Sequence, residues 1–85
     1  MFRISDAIRS TSNQDGSILL DLRRGQILGL NPVGSTIFEM IKRGLNQEEI
    51  ANTISTDFGI GLDEVRPDVI QFIETLGHHG ILQPV

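Results

Sequence analysis

Hydrophobic and polar positions alternate most clearly between Asp15 and Asn31, in the stretch DGSILLDLRRGQILGLN. Ile18, Leu20 and Leu22 recur with period two, and Leu28 and Leu30 do so again after a polar break. Period two is the signature of strands with one buried face, so the stretch predicts a β-hairpin. A three-residue loop of Arg23, Arg24 and Gly25, with Gly25 supplying the positive φ, sets Leu22 opposite Gln26, Leu20 opposite Leu28 and Ile18 opposite Leu30. That register gathers the apolar set on one face. A two-residue loop would set Leu20 opposite Gly29 and Asp21 opposite Leu28 and split the set, so the pattern favours the longer loop.

Upstream, Ile8 to Ser12 reads as an extended segment that pairs antiparallel with the Ile18 to Leu22 strand across a turn at Asn13 to Gly16. The sheet order is then first, second, third strand, and Gln26 to Leu30 lies at an edge. After it the period turns helical. Asn31 caps a first helix with Pro32 at its first position, followed by Val33, Ile37, Met40 and Ile41, and Gly44 ends it after Lys42 and Arg43. Asn46 and Glu49 form a capping box for a second helix, with Leu45 placed to staple onto Ile50 and a stripe of Ile50, Ala51, Ile54 and Phe58. Gly59 and Gly61 bracket the turn into a third helix, from about Asp63 to His79, with Pro67 in its first turn and Gly80 as its stop. Its Val65, Val69, Ile70, Phe72, Ile73 and Leu76 span more than one packing face needs, which leaves part of the arc for a partner. Ile81 to Val85 is a short apolar tail. Three strands followed by three helices pack as a single small α+β domain of the winged helix-turn-helix type over residues 1–85.

The 85 residues allow one modest core, and with 39% hydrophobic residues but four Phe, no Tyr and no Trp that core is aliphatic. There is no Cys, so no thiol chemistry is available. No apolar run approaches the roughly 20 residues of a membrane span, and Met1 to Ser10 lacks the apolar core of a signal peptide, so a soluble, cytoplasmic protein is expected. Seven basic against eleven acidic residues give a net charge of −4, the wrong sign for a non-specific grip on nucleic acid.

Catalysis finds little support. No Ser, His and acid arrangement carries a recognisable local signature, and Gly59, Ile60, Gly61 is too short for a phosphate loop. His78 and His79 are adjacent, so on a helix they diverge by about 100° and do not share a metal. A helix-turn-helix order invites a DNA reading, but the third helix would present Asp63, Glu64 and Asp68 to phosphates with only Arg66 to attract them. Arg23 and Arg24 read either as solvated turn charges that protect a sheet edge or as partners for acidic side chains of a bound peptide. An exposed strand edge beside an apolar helix makes a groove suited to an extended peptide, with main-chain bonds for affinity and side-chain pockets for specificity.

The run DGSILLDLRRGQILGLNPVGSTIFEMI, the EEIANTIS helix and DVIQFIETLGHHGIL together resemble the PqqD-like peptide-binding domains, the recognition elements for precursors of ribosomally made, modified peptides. The resemblance covers about Asp15 to Leu82, and LLDLRRGQILGLN is most similar to the discrete members from lasso peptide biosynthesis. The Pro-Glu-Arg element expected near the second strand of the quinone-cofactor members is not found, and Ile27 stands where many relatives carry an aromatic residue. The resemblance implies a non-catalytic adaptor that needs no cofactor or metal and captures a precursor's leader peptide as a strand added to Gln26, Ile27, Leu28, Gly29 and Leu30. Arg23 and Arg24 would flank it, and Val65, Asp68, Val69, Phe72, Ile73 and Leu76 would face it. Lasso leaders carry a Tyr and a Pro a few residues apart, which implies a small apolar pocket near Val69 and Phe72. The implied partners are the leader peptide, a transglutaminase-like cysteine leader peptidase and an asparagine-synthetase-like cyclase, with no nucleic acid or membrane. The alternatives are a chaperone for a radical SAM enzyme in quinone cofactor biosynthesis and an acidic winged-helix DNA-binding regulator.

Overall fold

Gly16 sets the first hairpin. Its φ of 133° is open only to glycine, and a Cβ there would overlap the carbonyl oxygen of Leu30. The computed structural model describes residues 2–84. It runs β1 (Phe2–Ile4), β2 (Ile8–Asn13), β3 (Gly16–Asp21), β4 (Gln26–Leu30), α1 (Pro32–Lys42), α2 (Gln47–Phe58), α3 (Leu62–His78) and β5 (Leu82–Pro84). Strands β2, β3 and β4 form an antiparallel sheet in that order, as the alternation predicts, and three helices follow to give the expected α+β architecture.

The phase of the central hairpin differs from the sequence expectation by one residue. Asp21 pairs with Gln26, Leu20 with Ile27, Leu19 with Leu28, Ile18 with Gly29 and Ser17 with Leu30, so the loop is the four residues Leu22 to Gly25. The buried face of β3 is therefore Ser17, Leu19 and Asp21, while Ile18, Leu20, Leu22 and Ile27 lie on the exposed outer face. Hydrogen bonding decides this. Ser17 Oγ is bonded to the hydroxyls of Ser12 and Ser35, and Asp21 Oδ1 accepts from the backbone N–H groups of Arg23 at 3.0 Å and Arg24 at 3.1 Å. Those bonds make polar residues tolerable inside and fix a turn that the three-residue loop could not form.

The helix caps follow the sequence. Asn31 Oδ1 accepts from Gly34 N at 2.8 Å with Pro32 opening α1, and Asn46 and Glu49 bond reciprocally at the start of α2. α3 begins one residue earlier than expected, at Leu62, and Pro67, its sixth residue, lies in the second turn rather than the first. There it cannot donate to the carbonyl of Asp63, a lost bond that packing of the buried Val65, Val69, Ile73 and Leu76 offsets. Arg66 joins α3 to α2 through two hydrogen bonds to Glu48 Oε1, at 2.8 and 3.2 Å, and this pairing raises the pKa of its guanidinium above the ordinary value.

Leu19 from the sheet, Phe38 from α1, Ile50 and Ile54 from α2, and Val69 and Leu76 from α3 are the largest fully buried side chains, so one core, aliphatic apart from Phe38, joins all four. A second sheet, β1 with β5, closes the structure by pairing Phe2 with Pro84 and Ile4 with Leu82. The sequence reading did not foresee it, since three residues are too few to display a period. No helix among the described residues is long and apolar enough to cross a membrane.

Candidate functional site

Strand β4 ends the order β2, β3, β4, so one side of its backbone pairs with no other strand among the described residues. α3 lies alongside, and a groove of about 550 Å³ separates the two. Gly29 and Leu30 form its strand wall, Asp68, Gln71, Phe72 and Thr75 its helix wall, and Val33, Gly34 and Ile37 of α1 its end, with Ile60 at the rim. The helix residues stand at i, i+3, i+4 and i+7 on one face. On the adjoining face of α3 are Val65, Val69, Ile73 and Leu76, at 3%, 1%, 8% and 0% exposure, which point into the core.

One glycine, Gly34, shapes the groove. Gly29 meets it with backbone alone, since its register with the exposed Ile18 puts the position of its missing Cβ on the outer face. Gly34 lets the Phe72 ring lie against the first turn of α1, since a Cβ there would come within 3.0 Å of Phe72 Cε1. The ring is thereby half-buried, apolar floor rather than core, and Asp68 is the one charged side chain among the groove's lining residues.

A second cleft, of about 300 Å³, lies at the other end of β4, where Gln26, Ile27 and Leu28 meet Ile8, Leu19, Asp21, His79 and Ile81. Arg24 folds over the adjoining helix end, its Nη1 donating to the carbonyl oxygen of His79 at 3.2 Å, whereas Arg23 is exposed in the turn. The sequence-derived set is thus divided. Gln26, Ile27, Leu28, Gly29, Leu30, Asp68 and Phe72 line the two clefts. Val65, Val69, Ile73 and Leu76 do not, because the helix phase turns them to the core, and Arg24 is engaged at the end of α3. Val69 in particular supplies no pocket wall beside Phe72. Gln71, Thr75, Gly34 and the cleft residues Asp21 and His79 were missed; the i, i+3 and i+7 relation of Gln71 and Thr75 to Asp68 is the signal that could have found the first two.

An unpaired strand edge with alternating side-chain clefts is chemistry for holding an extended chain. The start of α3 suits nucleic acid poorly, because Asp63, Glu64 and Asp68 are exposed and Arg66 is already bonded to Glu48 and lies 3.7 Å from Asp63. Among the described residues no three His, Asp or Glu side chains are grouped to hold a metal ion.

Among solved structures, TbiB1 in complex with the TbiA(beta) leader peptide superposes with a TM-score of 0.91 at 31% identity, covering 98% of this chain and 96% of that one. A lasso peptide synthetase B1 complexed with the leader peptide superposes with a TM-score of 0.89 over 98% of both chains, and at 22% identity it shows the shared fold. No curated protein sequence matches significantly. The family model described as coenzyme PQQ synthesis protein D matches residues 16–82, a span that takes in the hairpin, all three helices and both walls of the groove, and the chain accordingly belongs to the PqqD family.

Proposed function

We propose that this protein is a non-catalytic adaptor that binds the leader segment of a ribosomally made precursor peptide of the lasso type. The leader adds as a fourth strand to β4, with alternate side chains turned into the groove against α3. The observation that carries this reading is the unpaired β4 edge bordered by an open groove, in a chain 31% identical to a protein solved with a leader peptide. Gln26, Ile27, Leu28, Gly29 and Leu30 provide the edge, and Asp68, Gln71, Phe72 and Thr75 the helix wall.

Energetics favours a division of labour between edge and groove. Of the five strand residues two or three turn both N–H and C=O outward, offering about four to six backbone bonds, each contributing about 0.5–1.5 kcal/mol net. Ordering a flexible leader costs about 1–2 kcal/mol per residue, so the edge alone does not hold it. Burial of leader side chains in the groove makes up the difference, and the resulting moderate affinity suits release to the next enzyme. In this scheme the adaptor presents the leader to a transglutaminase-like cysteine peptidase, after which an asparagine-synthetase-like cyclase acts on the core peptide.

Titration of the isotopically labelled protein with a synthetic lasso-type leader peptide carrying a Tyr and a Pro a few residues apart, read by amide shifts and hydrogen exchange, tests the reading. Every second amide of Gln26 to Leu30 becomes protected, because adjacent residues of an antiparallel strand point their N–H groups alternately inward and outward. A leader that leaves β4 unprotected, while a DNA duplex shifts the first turn of α3, would replace the adaptor with a regulator.

A further inference from the structure

Asp21 does more than close the β3–β4 turn. Its side chain is 7% exposed and lines the cleft at the Gln26 end of β4. One carboxylate oxygen, Oδ1, accepts from the N–H groups of Arg23 and Arg24, and the other accepts no hydrogen bond among the described residues. The walls around it are Ile8, Leu19, Leu28 and Ile81, to which only Gln26 and His79 add polar side chains. Arg24, the neighbouring cation, forms no ion pair with Asp21 and is directed to the carbonyl of His79 instead. A carboxylate with one oxygen uncommitted, in a cleft with apolar walls, is a site for a cation carried on an aliphatic stem, the stem lying on the apolar walls and the charged head meeting the oxygen.

We propose that this cleft is a second side-chain subsite for the peptide bound along β4, and that its occupant is a lysine or arginine of that peptide. The inference rests on strand addition at β4 and extends it. Gln26, Leu28 and Leu30 share the inner face of the sheet, being paired with the buried Asp21, Leu19 and Ser17. A strand added antiparallel, as every pair in this sheet is, enters beside Leu30 and leaves beside Gln26. Only every second side chain turns inward, so the side chain in the groove and the one in the cleft are four positions apart, with the basic residue on the C-terminal side. The spacing fits the helix wall: four strand residues span roughly 13 Å, and the seven residues from Phe72 to His79 span roughly 10 Å of α3.

The probe is a set of twelve-residue peptides with leucine as the groove residue and, four positions later, lysine, arginine, norleucine or glutamate. Binding to the full chain is read by fluorescence polarisation, and its location by amide shifts in β4. Lysine and arginine should bind about tenfold more tightly than norleucine, a difference of about 1.4 kcal/mol, with glutamate weakest. Asp21→Asn retains the oxygen that caps the turn and should bring lysine to the level of norleucine. Gln26→Lys, at an exposed position, places a cation at the cleft mouth and should erase the same preference in a protein whose turn is untouched. Equal affinity for lysine and norleucine among peptides that do shift the β4 amides overturns the subsite while leaving strand addition intact. Peptides that shift no β4 amide overturn both.

Discussion

Arg24 and His79 are held together across the molecule: the guanidinium Nη1 of Arg24 donates to the carbonyl oxygen of His79 at 3.2 Å, tying the turn of the central hairpin to the end of α3. The contact places positive charge at a helix C-terminus, where carbonyls lack helical partners. Gly80, at φ 73°, makes room for it, since a Cβ there would come within 2.8 Å of Arg24 Nη2. Arg24→Met keeps much of the stem and removes the donor. It should lower stability by about 0.5–1 kcal/mol, seen as a melting temperature reduced by a few degrees.

The observed hairpin phase makes a sharp contrast between neighbours. Leu19, 1% exposed, should cost about 2–5 kcal/mol when cut to alanine. Leu20→Thr and Ile27→Thr, on the outer face, should stay within about 0.5 kcal/mol of the parent. Denaturant midpoints of the three variants check the register, and the opposite ranking would restore the three-residue loop.

Gly16→Ala forces a side chain into positive φ and onto the carbonyl oxygen of Leu30. Strain and overlap together should cost more than about 2 kcal/mol. Because Leu30 is a groove residue, a folded remnant of this variant should also show displaced Gly29 and Leu30 amides in its NMR spectrum.

Gly34→Ala separates stability from binding. Alanine gains up to about 1 kcal/mol of helix propensity over glycine, which offsets the few tenths of an ångström by which the Phe72 ring must move. Thermal melting should change little, while leader affinity should fall several-fold as the displaced ring narrows the groove.

Much of this architecture was legible because it is written in local chemistry. Asn31 with Pro32, and Asn46 with Glu49, specify helix starts through bonds their own side chains make. The edge position of β4 followed from the absence of a later strand pattern. The phase of β3 was not legible, because Ser17 and Asp21 owe their burial to partners that a strand period does not reveal: Ser35 is 18 positions away, and the turn amides donate to Asp21 only once the four-residue loop exists. The same limit applied to α3. Its apolar arc predicted a face for a partner, whereas Val65, Val69, Ile73 and Leu76 form the core face, and the groove is lined by the mixed set of Asp68, Gln71, Phe72 and Thr75. A groove wall of three polar side chains and one aromatic ring has no hydrophobic signature of its own.

The pairing of Phe2 with Pro84 in the β1–β5 ribbon sets positions 2 and 84 side by side, at the spacing of neighbouring strands. Such a fold can be threaded into a surface loop of a host protein with little penalty for closing the loop, because the host's own chain leaves and re-enters at almost one point. It also predicts that a short linker joining the two positions, with new ends cut at the exposed Gly44, yields a circular permutant that folds with both clefts intact.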